Sequence, residues 1–291
     1  MAVSDPWGLE WPAPAKINLF LHVVGRREDG FHLLQTLFQF VGLSDSLRFS
    51  PRADGAVHRA GGLPGLDESE DLVVRAALAL KRETGFGGGV DIHLDKRIPA
   101  GGGLGGGSSD AATVLVVLDR LWDLGLGVER LAGIGLGLGA DVPVFVRGHA
   151  AWAEGVGEQL QPVDPPEPWY LLVHPGGSVS TPAVFKDPKL TRDTPVKTIR
   201  ALLSGAGVSG AGRNDLEPVA RRLNPLVGDA LDWLGRFTNA RMSGSGACVF
   251  AAFDDEASAR DLHARLPDTW RGWVVRGLNR SPLHSMLATG V

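Results

Sequence analysis

The chain has 291 residues, with 29 Lys and Arg against 33 Asp and Glu, so its net charge is -4. This balance gives no reason to expect nucleic acid or an anionic membrane as a partner. A single cysteine, Cys248, excludes an internal disulfide framework, and no apolar run approaches the roughly 18 residues needed to span a bilayer. We therefore expect a cytoplasmic protein.

The pattern of apolar residues predicts strands and helices mixed along the whole chain. Strands are expected over 14–24, 33–41, 46–50, 90–98, 169–173, 247–253 and 273–278. Helices are expected over 71–84, from Ser108 onward, over 128–138, near 195–204, over 215–223 and 225–237, and after Asp254 and Asp255. The order lacks strict βαβ alternation, which favours an α+β fold. The proline-rich stretch 161–168 predicts two domains, 1–160 and 161–291.

Glycines are concentrated where a loop enters an apolar helix. Forty residues are glycine, about twice the usual share, and six of the seven positions from Gly101 to Gly107 are glycine. Such a loop lets the backbone approach a ligand closely and direct N–H groups at anionic oxygens. The helix beginning near Ser108 adds free N–H groups and the positive end of its dipole. We expect a phosphate site here rather than a flexible linker.

The loop does not match the common nucleotide-binding motifs. A Walker A loop requires a Gly-Lys pair, and the chain has none. Gly101, Gly103 and Gly106 satisfy the dinucleotide pattern G-x-G-x-x-G, but several predicted strands precede them, whereas a dinucleotide-binding loop opens the first βαβ unit of its fold. An NAD-dependent oxidoreductase is therefore a distant alternative. The sequence also lacks the signatures of protein kinases, zinc peptidases and α/β-hydrolases.

Several stretches, in order along the chain, resemble one family. PAGGGLGGGSS, from Pro99 to Ser109, resembles the ATP-binding loop of the GHMP kinases, which include galactokinase and the homoserine, mevalonate and phosphomevalonate kinases. Further similarity lies in 14–40, GADVPVF (139–145), RGHAAWAEGVGE (147–158), TPAVFKDP (181–188), SGSGACVF (243–250) and SPLH (281–284). The resemblance implies a two-domain α+β kinase with its active site in the cleft between the domains. It implies ATP and Mg²⁺ as cofactors.

The resemblance also implies which residues act on the phosphate groups. Asp141 is expected to be the catalytic base that takes the proton of the acceptor hydroxyl. Lys16 is expected to orient that carboxylate and to stabilise charge on the attacking oxygen. A carboxylate base and a positively charged site agree with the needs of phosphoryl transfer. The residues expected to bind the nucleotide are Lys96, Pro99, Ala100, Gly101, Gly102, Gly103, Leu104, Gly105, Gly106, Gly107, Ser108 and Ser109.

The acceptor implied by the resemblance is a small molecule that contains cytidine, 4-diphosphocytidyl-2-C-methyl-D-erythritol, phosphorylated on its 2-hydroxyl. This reaction belongs to the non-mevalonate route to isoprenoid precursors. Phe31 and Phe185 are expected to stack on the cytosine, and His32 to form a hydrogen bond to it. Asn18 is expected near the erythritol, and Thr181 is a further expected acceptor contact.

Two other functions stay open at this point. A GHMP kinase acting on an alcohol without cytidine would not need the aromatic clamp of Phe31, His32 and Phe185. A non-catalytic nucleotide-binding protein would have no use for a base such as Asp141 beside Lys16. The sequence does not distinguish a monomer from a homodimer, and it identifies no magnesium ligands.

Overall fold

The structure, a computed structural model, describes residues 6–62, 65, 67–199 and 212–289. The strands are β1 (Trp11–Arg26), β2 (His32–Arg52), β3 (Val57–Gly61), β4 (Gly89–Asp95), β5 (Ala151–Glu154), β6 (Gln159–Pro162), β7 (Trp169–His174), β8 (Ala240–Met242), β9 (Val249–Phe253) and β10 (Arg271–Leu278). The helices are α1 (Leu72–Thr84), α2 (Gly106–Leu121), α3 (Gly127–Leu136), α4 (Val142–Arg147), α5 (Thr181–Lys186), α6 (Glu217–Leu223), α7 (Pro225–Leu234), α8 (Glu256–His263) and α9 (Pro282–Ala288). Within the described ranges, no helix is both long and apolar enough to cross a membrane.

A long antiparallel hairpin of β1 and β2 forms the centre of the sheet. β4 and β5 also pair with β2. β10 arrives from the second half of the chain, and its Gly277 and Leu278 pair with Val41 and Phe40 of β2. This junction joins the first group of strands to β7, β9 and β8, in the order β3-β4-β2-β10-β7-β9-β8. Both halves of the chain are therefore assembled on β2.

Three hydrophobic clusters follow from this arrangement. The first lies between the helices α1 to α4 and the strands of the first half, and the second lies among the elements of the second half. A third cluster joins the two halves, and it includes Leu104 of the glycine loop together with Cys248 and Phe250. The chain also crosses over, because Leu21 of β1 packs in the second cluster and Leu283 of α9 packs in the first.

Most elements agree with the sequence, and the α+β class is confirmed. α1 has Asp71 as its N-cap, where the side chain accepts a hydrogen bond from Val73 N, and Gly85 ends it at φ 71°. The strands expected over 33–41 and 46–50 are one strand, β2, because a register shift opposite Pro14 and Ala15 absorbs the residues between them. Residues 200–204 of the helix expected near 195–204 lie outside the described residues, and residues 195–198 are not helical. The domain boundary at 160/161 stays a prediction, and β6 spans it.

We expect Tyr170→Phe to lower the free energy of unfolding by about 1 to 2 kcal/mol. The buried Tyr170 hydroxyl donates to Gln39 Oε1 at 2.7 Å, beside the junction of β2 and β10. The change leaves the buried oxygen of Gln39 without this donor. Urea denaturation measures the effect, and an unchanged free energy of unfolding would show that this hydrogen bond does not help to hold the two halves together.

Candidate active site

A buried lysine lies at the centre of the site. The Lys16 side chain is 3% exposed, and its Nζ lies 3.2 Å from Asp141 Oδ2. Nζ also donates to Asn18 Oδ1 at 2.7 Å and to the carbonyl oxygen of Gly103 at 3.2 Å. The Asp141 side chain is 35% exposed. The ammonium group is therefore held by three oxygens while the carboxylate is open to solvent on one side.

Local structure explains how these two residues meet. Lys16 and Asn18 alternate with buried Ile17 on β1, so both polar side chains lie on one face of the strand. Asn18 is fixed in turn, because its Nδ2 donates to Thr36 Oγ1 of β2 at 2.8 Å. Asp141 directly precedes α4, whose first five residues are buried and anchor it against the first hydrophobic cluster. The ion pair thus connects two elements that are far apart in sequence.

The glycine loop is bound to the second glycine segment through its backbone. The carbonyl oxygens of Gly101 and Gly102 accept hydrogen bonds from the N–H groups of Ala247 and Cys248, each at 3.0 Å. The sequence argument assigned the glycines to close approach of a ligand. In the structure, the side of the loop that carries these two carbonyl groups lies against protein backbone, and this contact helps to fix the loop's conformation. The approach of a ligand to the loop stays a prediction.

Gly103 has the strictest steric requirement in the loop. Its φ is +71°, and a Cβ at this position would lie 2.1 Å from the carbonyl oxygen of Ser243. Its own carbonyl oxygen accepts hydrogen bonds from Ser243 Oγ at 2.9 Å and from Lys16 Nζ. No side chain fits between these two backbone segments, so glycine is required here for packing as well as for φ.

The first turn of α2 is left without a side-chain cap. Its N-cap is Gly105, at φ 72°, and no side-chain hydrogen bond caps the helix. The first N–H groups of a helix have no acceptor within the helix itself. Ser108 adds a hydroxyl group in the same turn. This end of α2 can therefore donate several hydrogen bonds to an anion.

Two cavities lie on either side of the glycine loop, with volumes of about 380 and 340 Å³. Both are lined by Gly101, Gly103, Gly105 and Ser108. The first is also lined by Lys16, Asn18, Asp141, Thr181 and Phe185, and we call it the acceptor cavity after the ligand that the sequence leads us to expect. The second, called the nucleotide cavity for the same reason, is also lined by Lys96, Pro99, Ala100, Gly102, Leu104, Gly106 and Gly107. A group lying across the loop would reach from one cavity to the other.

Three of the residues singled out from the sequence line neither cavity. Ser109 is fully buried in α2, and its hydroxyl has no hydrogen-bond partner. Phe31 lies in the turn between β1 and β2 and is 63% exposed. His32 is buried and stacks on Phe185, with ring centroids 5.0 Å apart. The two members of the expected clamp that meet in this structure are therefore His32 and Phe185.

The sequence argument named Lys96 but missed the two acidic residues that bind it under the glycine loop. Lys96 Nζ donates to Asp110 Oδ2 at 2.6 Å and to Asp45 Oδ2. Asp45 also accepts from the backbone N–H groups of Arg97 and Ile98, at 2.6 and 2.8 Å. Burial raises the pKa of Asp110 to about 8, against the opposing effect of Lys96, and the nearby Asp45 adds to the rise. Burial lowers the pKa of Lys96, but its two carboxylate partners outweigh this and hold it above 10.5.

The sequence analysis also did not name several other polar residues of the site. Ser243 donates to Gly103, and Ser245 Oγ lies 2.6 Å from Thr181 Oγ1 beside the acceptor cavity. Both belong to the segment SGSG, which the sequence argument noted only as a whole. Its spacing of serine and glycine was the available signal. Thr36, the partner of Asn18, lies in a strand of ordinary composition and gave no signal.

Comparison with known proteins assigns the chain to a class. The model of the GHMP kinases N terminal domain matches residues 71–149, and that of the GHMP kinases C terminal domain matches residues 194–272. Together these matches cover more than half of the chain. The chain belongs to the GHMP kinase family, whose members use ATP as phosphate donor.

Curated relatives place the chain within that family. It is 60% identical over 281 residues to the 4-diphosphocytidyl-2-C-methyl-D-erythritol kinase of Halorhodospira halophila, covering 96% of each chain. It is 57% identical over 280 residues to the kinase of the same name from Chromohalobacter salexigens, covering 96% of this chain and 94% of the relative. Within the GHMP kinases, the chain is thus one of the 4-diphosphocytidyl-2-C-methyl-D-erythritol kinases.

Solved structures agree with this placement. A crystal structure of 4-(cytidine 5'-diphospho)-2C-methyl-D-erythritol kinase superposes with a TM-score of 0.79 at 38% identity, covering 92% of this chain and 99% of the other. A homoserine kinase from Cytophaga hutchinsonii superposes with a TM-score of 0.70 at 17% identity, covering 94% of this chain and 95% of the other. The second similarity shows the shared fold alone.

We expect Gly103→Ala to destabilise the protein by at least about 2 kcal/mol, because alanine is strained at this φ and its Cβ meets Ser243. Gly107→Ala is the matched control. A Cβ at Gly107 would meet only Leu72 Cδ1, at 3.5 Å. In the first turn of a helix this change is expected to be neutral or stabilising by about 0.5 to 1 kcal/mol. Equal thermal and urea stability of the two variants would contradict the packing argument.

We expect Asp110→Asn to gain stability relative to the wild type as pH rises. Asp110 ionises near pH 3.8 in the unfolded chain and near 8 in the folded protein. Between these values the folded wild type binds more protons than the unfolded chain, so its stability falls with rising pH. Urea titrations at about pH 5 and pH 8 should show a relative gain of about 3 to 4 kcal/mol for the variant. A stability difference that stays constant between these pH values would contradict the prediction.

Proposed function

We propose that the protein transfers the terminal phosphoryl group of ATP to the 2-hydroxyl of 4-diphosphocytidyl-2-C-methyl-D-erythritol, giving the 2-phosphate and ADP. The observation that carries this proposal is the Lys16–Asp141 ion pair, which lines the acceptor cavity where that cavity borders the glycine loop. One cavity contains the uncapped end of α2 and the other contains the aromatic side chain of Phe185. A base at this border stands between a site for phosphate and a site for an alcohol.

Asp141 is the proposed catalytic base. Phosphoryl transfer has a loose transition state, so catalysis depends mainly on alignment and on stabilising charge, with a carboxylate to receive the hydroxyl proton. The solvent-open side of the Asp141 carboxylate can accept that proton from a hydroxyl in the acceptor cavity. Lys16, 3.2 Å away, holds the carboxylate in place and offsets negative charge on the attacking oxygen. Asn18 fixes the ammonium group for this task.

The nucleotide is proposed to bind with its base end in the nucleotide cavity and its phosphates along the glycine loop. The free N–H groups of the first turn of α2 and the Ser108 hydroxyl supply donors to phosphate oxygens. Because the loop is already held by Ala247 and Cys248, it needs little rearrangement when the phosphates arrive. Lys96 and its two carboxylate partners brace the loop from below.

Magnesium is proposed to accompany the nucleotide. Among the described residues no group of three or more His, Cys, Asp and Glu side chains could hold a metal ion. This fits an ion bound chiefly by nucleotide phosphates and water, which is usual for Mg²⁺. Ser108, which lines both cavities, would supply the protein's oxygen ligand. The bound ion would neutralise charge on the phosphate oxygens.

The acceptor is proposed to lie with its cytosine against Phe185 and its erythritol beside Asn18. Phe185 and Asn18 line the same cavity, as does Thr181. Phe31 precedes His32 in the turn of the β1–β2 hairpin, and its exposed ring is available to cover the second face of the base. A GHMP kinase for a small alcohol such as homoserine would gain nothing from these aromatic side chains, which favours the cytidine acceptor.

The proposed substrate is tested by supplying ATP and magnesium with one acceptor at a time and detecting products by mass spectrometry. The acceptors are 4-diphosphocytidyl-2-C-methyl-D-erythritol, mevalonate and homoserine. We expect phosphorylation of the cytidine compound alone, because it alone carries a base for the Phe185 side of the cavity. Phosphorylation of mevalonate or homoserine instead would show that the aromatic clamp has been assigned the wrong ligand.

The proposed base is tested with Asp141→Asn. We expect kcat to fall by about 100- to 10,000-fold, the range that general base catalysis contributes. ATP binding, measured by calorimetry, should be retained, because Asp141 lines the acceptor cavity and not the nucleotide cavity. Asp232→Asn is the matched control, since Asp232 is a 70% exposed residue of α7 that lines neither cavity. A variant at Asp141 with near-normal kcat would remove this residue from the mechanism.

A further inference from the structure

An arginine outside both cavities connects His32 and Phe185, two of the three residues of the expected clamp. Arg192 Nε donates to His32 Nε2 at 3.0 Å. Its Nη2 donates to the carbonyl oxygens of Phe185, at 3.0 Å, and Asp187, at 2.8 Å, and its Nη1 donates to the carbonyl oxygen of Leu190 at 3.0 Å. All three nitrogens of one half-buried guanidinium group are therefore used.

These contacts lie at the point where the two halves of the site meet. His32 is the first residue of β2, in the first half of the chain, and Phe185 is next to the last residue of α5, in the second. The three carbonyl oxygens belong to the end of α5 and the turn that follows it. A planar guanidinium with donors in a fixed fork can hold all of these acceptors at once. Arg192 thus fixes the position of the Phe185 backbone relative to the His32 ring.

The hydrogen bond from Arg192 also determines which nitrogen of His32 carries a proton. Arginine stays protonated and can only donate, so Nε2 of His32 must be the accepting nitrogen. In a neutral imidazole the other nitrogen, Nδ1, then carries the hydrogen. His32 can therefore donate a hydrogen bond through its Nδ1–H group. Cytosine offers acceptors at its N3 and O2 atoms, which such a donor can satisfy.

We propose that Arg192 is a positioning residue for acceptor recognition, because it fixes His32 as the Nδ1-protonated tautomer and holds that ring against Phe185. This inference deepens the proposed function and rests on it for the identity of the acceptor as a cytidine compound. Arg192 touches neither the phosphates nor the reacting hydroxyl in this assignment. Its loss should weaken acceptor binding and leave the chemical step intact.

The charges around His32 agree with a neutral ring. The charged groups facing it are Arg192 and Arg26, which lies opposite His32 in the β1–β2 hairpin and donates to the carbonyl oxygen of Gly30. Burial, then Arg192 and Arg26, lower the pKa of His32 below 6.5. The nearby carboxylate of Asp187 is bound to Arg222, at 2.9 Å, instead. At neutral pH the ring is therefore uncharged and keeps Nε2 free to accept.

The first test examines the histidine directly, without any substrate. Protein labelled with ¹⁵N in its histidine rings gives separate signals for protonated and unprotonated ring nitrogens, and a His32→Gln variant identifies the signals of His32. For the wild type we expect an unprotonated Nε2 and a protonated Nδ1 near pH 7.5. In Arg192→Gln we expect a mixture of tautomers. A wild-type spectrum with a protonated Nε2 would overturn the inference, whatever the protein phosphorylates.

The second test separates binding from chemistry. In Arg192→Gln we expect KM for the cytidine acceptor to rise about tenfold, which corresponds to the loss of about one hydrogen bond. The kcat and the KM for ATP should stay within about twofold of the wild type. An unchanged KM for the acceptor, or an equal loss in kcat, would overturn the inference.

Two further variants distinguish positioning from general support. Arg222→Gln is the matched control, because Arg222 binds the same turn through the Asp187 carboxylate but does not touch His32. It should keep the wild-type tautomer and KM. Arg192→Lys retains the positive charge but lacks the several fixed donors of a guanidinium group. It should therefore keep the pKa of His32 low, as in the wild type, while the KM for the acceptor stays raised. If the wild type fails to phosphorylate the cytidine acceptor at all, the proposed function and the recognition role both fall, while the ¹⁵N spectrum still decides the tautomer.

Discussion

The structure of the site depends on one buried positive charge. An ammonium group removed from water is costly unless anionic or strongly polar groups surround it. Lys16 satisfies this need with Asp141, Asn18 and the carbonyl oxygen of Gly103. Each of these partners belongs to a different feature: the start of α4, the strand β1 and the glycine loop. Burying the lysine therefore requires the proposed base, one face of β1 and the glycine loop to come together at one point.

The glycine loop is held from both halves of the chain. β1 contacts it through Lys16, and the SGSG segment contacts it through Ser243, Ala247 and Cys248. This explains how a sequence of six glycines in seven positions can form a defined structure. The entropy lost by ordering the glycines is offset by backbone hydrogen bonds, by the buried side chain of Leu104 and by the packed start of α2. The result is a preformed surface of donors between two cavities.

Local signals in the sequence were sufficient for the class of fold and for the position of the glycine loop at the start of α2. Capped helices such as α1 and alternating strands such as β1 could be located because their signals lie within a few neighbouring residues. The union of 33–41 and 46–50 into β2 could not be predicted, because the register shift that absorbs Gly42 and Leu43 involves the partner strand. The length of such a strand depends on its register with a distant partner strand, and the sequence of one strand alone does not show that register.

The same limit applies within the candidate site. Asp141 and Lys16 could be named through resemblance to a family, whereas spacing alone indicated neither. Asp45, Asp110 and Arg192 escaped because their importance comes from partners 14 to 160 residues away. A polar residue that supports another polar residue has no pattern of its own in the sequence. The structure is needed to show that a charged side chain is buried and what it contacts.

The contact between Gly103 and Ser243 has a consequence for how this sequence can change over time. The two residues are 140 positions apart, yet the space beyond Gly103 is filled by the backbone of Ser243. A side chain gained at one segment could be accepted only if the other segment retreated, and that retreat would disturb the carbonyl oxygen that holds Lys16. A single substitution that adds a side chain at this contact is therefore unfavourable even where it is compatible with its own turn. At this contact, the residues of the two segments are expected to change together or not at all. Few single substitutions there should therefore be neutral.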